Sequence, residues 1–271
     1  MAMNIYLDVD WLTNNSDTRQ GSELATFIDE RIQSFALTRQ AISKRPSNGY
    51  YLTVIDNEFV MQQEMPEPAV VKVDFTAGSS AHRRKFGGGL GQDIAKALGI
   101  TSQYRPSIID TTAGLGRDAF VMATLGCQVV AIERNPGVAA LLQDGLARAM
   151  NDVEVSQIVR RIQFHHGRSH EFLAACESQY ASDVIYIDPM FEHDSKQTAK
   201  VKKDMQAFRQ LVGEDNDGDE LLRTALSKAR CRVVVKRARK AAPLANRKPS
   251  YAITGKANRY DVYALRKVAA E

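Results

Sequence analysis

Short apolar runs and helix-like stretches alternate regularly along the chain from Ser107 onward, and this alternation limits the possible folds more than any other feature. Strands are predicted over 107–110, 128–132, 161–166, 183–188 and 231–236. Helices are predicted over 117–125, 136–150, 169–177 and 219–229. Nearly continuous apolar strands that alternate with helices are typical of a parallel sheet covered on both faces. Two more strands, at 250–254 and 259–265, predict a closing hairpin that adds antiparallel edge strands.

The first 75 residues follow a different pattern. A helix capped by Ser22 is predicted over 22–38, then a strand-like segment at 50–60 with a turn at Asp56 and Asn57, and a short strand at 70–75. No motif in this part indicates a chemical role. We therefore predict a small N-terminal α+β lobe at 1–75 and a larger α/β domain at 76–271.

The composition is that of an ordinary globular protein, with 44% hydrophobic and 25% charged residues. No apolar run is long enough to span a membrane, and the N-terminus lacks the features of a signal peptide. The three cysteines are far apart, which fits a reducing compartment. His165, His166 and His193 do not have the spacing of metal ligands. We expect a cytoplasmic protein without a bound metal.

Positive charge is concentrated near the C-terminus. Thirteen lysines and arginines between Lys228 and Lys267, Lys236 and Arg237 among them, face the single acid Asp261. Such an excess attracts a polyanion, because phosphate contacts release condensed counterions. A second basic segment precedes the α/β core and consists of His82, Arg83, Arg84 and Lys85. Both segments predict contacts with nucleic-acid phosphates, although a solvated surface and a flexible linker remain possible.

A glycine-containing turn joins the first core strand to its helix, from Asp110 through Gly114 and Gly116 to Asp118. Open α/β sheets bind ligands at the carboxyl ends of their strands, and glycines let a cofactor approach the backbone closely. Glu133, after the next strand, is placed to accept hydrogen bonds from a ribose diol. This pattern predicts a nucleoside-containing cofactor.

Two kinds of cofactor fit that turn. The spacing of Gly114, Gly116 and Ala119 satisfies a relaxed dinucleotide fingerprint, so an NAD-dependent oxidoreductase is one candidate. A pyrophosphate on the helix N-terminus would, however, meet the carboxylates of Asp110 and Asp118. S-adenosylmethionine carries an ammonium and a sulfonium centre instead, which carboxylates favour. The acids favour the methyl donor without deciding the matter.

A third possible cofactor contact follows the strand at 161–166. Ser169 is expected to hydrogen-bond an adenine ring there. The adjacent His170 is equally compatible with a surface or packing role.

Asp188, Pro189 and Phe191 end the fourth core strand as part of the sequence DPMF. The lone pair of an exocyclic amine on a nucleobase is delocalised into the ring. Acceptors on its N–H bonds, here Asp188 and a backbone carbonyl, would localise that lone pair toward a methyl donor. Phe191 would stack on the base, which contributes on the order of 1–3 kcal/mol. The corner predicts transfer of a methyl group to an amine.

With these residues in place, the chain resembles the bacterial family of ribosomal RNA small subunit methyltransferase J. The segments that carry the resemblance are 73–99, 109–136, 183–191, 201–215, 232–237 and 258–263. The resemblance implies a class I methyltransferase with a seven-stranded Rossmann-like sheet. It also implies N2-methylguanosine as product, at one guanosine near the 3′ end of 16S ribosomal RNA, in naked RNA or the small ribosomal subunit.

The same resemblance assigns donor-binding residues position by position. These are Arg117 and Asp118, Glu133 and Arg134, Ser169 and His170, and Asp188. A non-catalytic RNA-binding factor for ribosome assembly remains an alternative, since it would need the basic segments but not Asp188.

Overall fold

A computed structural model describes residues 6–7, 50–55, 58–63, 69–78, 88–177, 181–189, 217–256 and 258–268. The helix predicted over 22–38, the basic residues His82 to Lys85, and Phe191 lie outside the described residues. The chain forms two compact units. The described residues up to Val73 and those of 135–148 belong to the first unit, and the remaining described residues belong to the second.

The described elements follow the predicted alternation. The strands are β1 (Tyr6–Leu7), β2 (Tyr50–Ile55), β3 (Glu58–Gln63), β4 (Ala69–Val71), β5 (Ile108–Asp110), β6 (Val129–Glu133), β7 (Ile162–His166), β8 (Ser182–Ile187), β9 (Ala229–Ala238), β10 (Tyr251–Thr254) and β11 (Asn258–Ala264). The helices are α1 (Asp93–Leu98), α2 (Arg117–Thr124), α3 (Pro136–Ala149), α4 (Ser156–Val159), α5 (Ser169–Ala175) and α6 (Gly218–Lys228). Short 3-10 turns cover Gly89–Gly91 and Leu244–Asn246. Helices α1 and α4 are additional to the predicted elements.

In the first unit, the described strands form one sheet in the order β1-β2-β3-β4. Strand β1 runs parallel to β2, and the other neighbours are antiparallel. The guanidinium of Arg148 in α3 donates to the buried Asp144 carboxylate at 2.9 Å and to the Val73 carbonyl at 2.5 Å. Asp144 also accepts from the Phe59 amide at 3.2 Å. These bonds attach α3 to the strands of this unit.

In the second unit, the described strands form a seven-stranded sheet in the order β10-β11-β9-β8-β5-β6-β7. Strands β5 to β9 are mutually parallel where they pair. Only β11 is antiparallel to both of its neighbours. The predicted closing hairpin is confirmed: β11 pairs antiparallel with β9, and β10 pairs antiparallel with β11 at the edge of the sheet.

Both faces of this sheet are buried. On one face, Ile109, Ile185 and Val233 pack with Leu221 and Leu222 of α6. Side chains alternate between the faces of a strand, so their neighbours point the other way. Those neighbours are also almost inaccessible to solvent and include Ile108, Val184, Tyr186 and Val234. Helices therefore cover the sheet on both sides, which leaves its edges for ligands. No helix within the described ranges is long and apolar enough to cross a membrane.

Candidate active site at the carboxyl edge of the sheet

Strands β5 and β8 are parallel neighbours, so their carboxyl ends meet at one edge. Asp110 ends β5, and Asp188 directly follows β8. The Asp188 amide donates to the Thr112 hydroxyl at 2.6 Å. The Thr111 amide and hydroxyl donate to the Tyr186 carbonyl at 3.0 and 2.8 Å. These bonds fix the two strand ends against each other.

The glycine turn between β5 and α2 uses backbone conformations that favour glycine. Gly114 has a φ of 53° and Gly116 a φ of 73°. Both lie in the left-handed region, where a Cβ would be strained. Gly116 directly precedes Arg117, the exposed first residue of α2. The glycine turn predicted from the sequence is therefore present at this end of the sheet, between β5 and α2.

Asp110 lies beneath this turn and is only 1% exposed. Its carboxylate accepts a hydrogen bond from the Thr112 amide at 3.2 Å. Burial, with the nearby Asp118 carboxylate adding to it, raises the pKa of Asp110 well above its ordinary value. Asp110 is thus a buried carboxyl that supports the glycine turn through its bond to Thr112.

Glu133 ends the neighbouring strand β6 and is buried. Its Oε2 accepts a hydrogen bond from the Gly114 amide at 2.9 Å. The adjacent Arg134 donates from Nη1 to both carboxylate oxygens of Asp217, at 3.0 and 3.1 Å. Glu133 thus lies against the glycine turn, as its predicted role requires, and Arg134 is held by an ion pair.

Ser169 and His170 begin helix α5. The Ser169 hydroxyl donates to the Thr111 carbonyl at 2.6 Å, which brings the start of α5 to the same turn. His170 Nε2 lies 3.8 Å from Oε1 of Glu171. A hydroxyl that donates can also accept, so this bond leaves Ser169 able to accept a hydrogen bond from an adenine amine.

A lysine joins the two sides of the edge. Lys236 Nζ lies 2.8 Å from Asp118 Oδ2 and 2.7 Å from Asp188 Oδ2. The Tyr186 hydroxyl donates to the same Asp118 oxygen at 2.7 Å. Burial alone would lower the pKa of Lys236, but the carboxylates of Asp118 and Asp188 outweigh it and raise that pKa. The ammonium therefore remains charged.

Thr112, Tyr186 and the bridging position of Lys236 were missed by the sequence reasoning. A signal existed for two of them. Tyr186 precedes Asp188 by two residues in a strand-like run, so the two side chains are expected on the same face. Lys236 ends the apolar run of β9, the parallel neighbour of β8. A lysine at the carboxyl end of a central strand is a candidate site residue for the same reason as the acids.

The basic tract divides into two groups. Arg230 and Arg259 are bound to Asp183 and Asp261, and Arg237 donates to the Ala242 carbonyl at 2.9 and 2.7 Å. The exposed members are Arg239, Lys240, Arg247, Lys248, Lys256, Arg266 and Lys267. Part of the counted charge therefore takes part in internal contacts, and the exposed group is the most accessible to a polyanion.

Several observations bear on the cofactor. The carboxylates of Asp118, Glu133 and Asp188 line this edge, which suits a ligand with an ammonium, a sulfonium and a ribose. Asp118 lies in the first turn of α2, where a pyrophosphate would require anion-binding amides without a neighbouring acid. Among the described residues, no group of three or more His, Cys, Asp or Glu side chains could hold a metal ion. The residues fit S-adenosylmethionine.

Comparison with known proteins agrees with this geometry. A family model for SAM-dependent methyltransferases matches residues 36–265. The ribosomal RNA small subunit methyltransferase J of Colwellia psychrerythraea is 48% identical over 229 residues, which cover 84% of this chain and 83% of the relative. The protein of the same name from Pseudomonas aeruginosa is 52% identical over 204 residues, which cover 75% of this chain and 77% of the relative.

A solved structure matches nearly the whole chain. The crystal structure of a SAM-dependent methyltransferase from Neisseria gonorrhoeae has a TM-score of 0.72 and 36% sequence identity, with 98% of this chain and 97% of that chain covered. The likeness confirms the predicted class I methyltransferase fold, and S-adenosylmethionine is the methyl donor. This chain belongs to the family of SAM-dependent methyltransferases whose curated members are named ribosomal RNA small subunit methyltransferase J.

Proposed function

We propose that this enzyme methylates the exocyclic N2 amine of one guanosine near the 3′ end of 16S ribosomal RNA. The observation that carries the proposal is the position of Asp188. It lies beside the donor-side turn through Thr112 and is held by Lys236. The names of the relatives support ribosomal RNA of the small subunit as substrate. Guanine N2 rests on the family resemblance of DPMF and the other matching segments.

The chain's own residues prepare the amine for transfer. The Asp188 carboxylate accepts from one N–H bond of the amine and draws its lone pair out of the ring. Pro189 restricts the backbone after Asp188, and Phe191 stacks on the base and fixes its plane. When bound, S-adenosylmethionine would supply the methyl group: its sulfonium–methyl bond would break as the N–C bond forms, S-adenosylhomocysteine would be the leaving group, and the amine would release one proton to solvent. Most of the rate gain would come from alignment for this in-line displacement.

The residues around the glycine turn would hold the donor. Glu133 would accept from the ribose hydroxyls, with Arg134 beside it. Ser169 and His170 would contact the adenine. The methionine end would lie over the turn and helix start formed by Asp110, Gly114, Gly116, Arg117 and Asp118. Burial of Glu133 and its bond to Gly114 support this arrangement, because they fix the carboxylate before the donor arrives.

Phosphate contacts would supply much of the RNA affinity. We assign them to His82, Arg83, Arg84 and Lys85, to Arg237, and to the exposed members of the C-terminal tract. Residues 1–75 would form a lobe appended to the catalytic domain at 76–271. A target base inside a helical region would have to be swung out of its stack to reach Asp188. An enzyme acting on ribosomal subunits would work in the cytoplasm.

Neither alternative is supported. A family match over residues 36–265 to SAM-dependent methyltransferases does not favour an NAD-dependent oxidoreductase. A non-catalytic assembly factor has no need of an acid held at the donor side of the sheet edge.

The direct test uses RNA from a strain that lacks this protein. Purified enzyme and labelled donor are incubated with naked 16S RNA and with small subunits, and nucleosides are identified by mass spectrometry. We expect N2-methylguanosine at a single site, and comparing the two substrates shows which one the enzyme uses. N6-methyladenosine, or methylation of DNA instead, would keep the amine chemistry and overturn the proposed substrate.

A further inference from the structure

Lys236 lies between two carboxylates and is largely buried, whereas a lysine that binds a phosphate needs a free and exposed ammonium. Its ammonium contacts Asp118 Oδ2 at 2.8 Å and Asp188 Oδ2 at 2.7 Å, and its side chain is only 20% exposed. The Asp118 side chain is 12% exposed and the Asp188 side chain 37% exposed. The lysine therefore lies mostly inside the protein, while the acid it holds still reaches the solvent side of the edge.

The backbone of Lys236 is fixed on both sides. Its neighbour Val235 pairs with Ile187 of β8, and Lys236 itself pairs with Tyr260 of β11. Pairing on both sides fixes the backbone of Lys236, and its two carboxylate partners then fix the otherwise flexible side chain. An ammonium has three donors, so the two carboxylates use most of its capacity.

We propose that Lys236 is a positioning residue, which holds the Asp188 carboxylate in the orientation that receives the target amine and ties it to the start of helix α2 through Asp118. This role rests on the proposed function of Asp188. Asp118 lies in the first turn of α2, directly after the glycine turn. One ammonium thus links the donor side of the edge to the acceptor side. A carboxylate can accept about four hydrogen bonds, so the bond to Lys236 does not exhaust Asp188.

Several charged or titratable groups face the ammonium. Asp118 comes from α2, Tyr186 from β8, Asp188 from the end of β8, Asp110 from β5, and Tyr260 from β11. Burial, and then the carboxylates of Asp118 and Asp188, raise the pKa of Tyr186 well above its ordinary value, so its hydroxyl remains a donor to Asp118. Within the part of the chain that the structure describes, Lys236 is a cation bonded to both Asp118 and Asp188, and its removal takes a positive charge away from the Asp188 carboxylate.

The test is Lys236→Met, which keeps the length of the side chain and removes its charge. Single-turnover methyl transfer to small-subunit RNA is measured across pH at saturating donor. We expect the rate to fall roughly 10²-fold, because alignment is lost, with little change in RNA affinity. The acidic limb of the pH profile should move up by about 1–3 pH units, because a carboxylate without its cation takes up a proton more easily. Lys236→Arg should restore part of both effects.

Three controls separate positioning from other roles. Lys96→Met removes an exposed lysine of α1 and should leave the rate and the profile unchanged. Thermal melting and donor calorimetry show whether each variant folds. If Lys236→Met does not fold, the rate and pH profile of Lys236→Arg test the proposal instead. In an Asp188→Asn background, Lys236→Met should cause little further loss, because residues that act as a unit are not additive.

The outcomes are distinguishable. If the wild-type protein does not methylate small-subunit RNA, the proposed function fails and this role fails with it. If the wild type is active and Lys236→Met keeps its rate and pH profile, only the role of Lys236 is overturned. The role is also overturned if Lys236→Met instead lowers the affinity for RNA and the salt dependence of RNA binding. The same holds if Lys236→Met slows methyl transfer by Asp188→Asn as much as by the wild type.

Discussion

Glu133 shows at the scale of one residue how the fold prepares a ligand site. Its carboxylate accepts from the Gly114 amide at 2.9 Å while the side chain is buried at the end of β6. Because β6 pairs with β5, the acid faces the turn that follows β5. A carboxylate held in this way loses little freedom when a ribose diol binds.

Replacing Glu133 therefore tests donor binding. For Glu133→Ala we expect the affinity for S-adenosylmethionine to fall roughly 10- to 100-fold, since hydrogen bonds to a charged group contribute about 1.5–3 kcal/mol. Titration calorimetry measures this affinity. The matched control is Glu133→Gln, which keeps one acceptor, and its affinity should lie between those of the wild type and Glu133→Ala. An unchanged affinity in the Ala variant would remove Glu133 from the donor site, and tighter binding of NAD than of the methyl donor would contradict the cofactor.

The sequence predicts the positions of Asp110, Glu133 and Asp188 because each ends an apolar strand, and parallel strands end at one edge. It does not predict the partner of Lys236. A count of charges between 228 and 267 treats every lysine alike, whereas the register of β9 with β8 turns this one toward the acids. For Lys236 we propose the positioning role in place of the RNA contact expected from the sequence, and RNA contacts at the other basic residues stay predictions.

At the scale of elements, a polar cluster joins the starts of β5, β8 and β9, at the edge opposite the site. Asp183 of β8 accepts from the Ser107 amide at 2.8 Å, from the Tyr104 hydroxyl at 2.9 Å and from Arg230 Nε at 2.6 Å. Burial opposes the charge of Asp183, but these donors outweigh it and lower its pKa. The cluster holds three neighbouring strands in register and leaves the carboxyl edge to the ligands.

Asp183→Asn should lower the free energy of unfolding by about 2 kcal/mol at neutral pH, because a buried carboxylate bonded to several donors is lost. A lowered pKa means that this contribution is complete above the unfolded value of about 3.9 and disappears as the pH falls through the folded value. Urea unfolding at neutral pH and below pH 4 should show the difference from wild type shrinking in acid. Glu177→Gln, an exposed acid of the same unit, should change little at either pH. A difference that stays constant with pH would contradict the assignment.

The positions of the strands along the chain were easier to predict than the order of the strands in the sheet. The long apolar runs of β6, β8 and β9 are identifiable because each is buried on both faces. Helix α1 covers only Asp93–Leu98 and follows a glycine-rich stretch, and such a short helix was not predicted from the sequence. The place of β11 between β9 and β10 depends on pairing across the sheet, which no local window of the sequence contains.

At the level of the whole molecule, the RNA binding that we propose depends on where positive charge is exposed. Strand β9 ends at Ala238 on the carboxyl edge, and the exposed Arg239 and Lys240 follow directly. They therefore lie at the edge that carries Asp188. If Asp188 receives the target amine as proposed, these exposed cations are placed to hold the phosphates that flank the target base.

Binding of RNA should weaken steeply with added salt. Arg239→Gln and Lys240→Gln should each weaken binding to all sequences alike and reduce the slope of log affinity against log salt by about 1, because each removes one phosphate contact. Filter binding or fluorescence anisotropy at several salt concentrations gives the slope. Lys96→Gln, which changes an exposed lysine of α1 in the same unit, is the control. If Arg239→Gln and Lys240→Gln both keep the wild-type slope of log affinity against log salt, RNA binds elsewhere on the protein.

The role proposed for Asp188 is to align an RNA amine with the methyl donor. Its most direct measurement compares three quantities for Asp188→Ala and wild type, namely the methyl-transfer rate on small-subunit RNA, the affinity for that RNA and the affinity for the donor. General-base and alignment roles of this kind contribute about 10²–10⁴-fold. For Asp188→Ala we expect the methyl-transfer rate to fall by that factor, while the affinity for RNA stays nearly intact and the affinity for the donor falls at most in part. A variant that transfers methyl groups at the wild-type rate would contradict it.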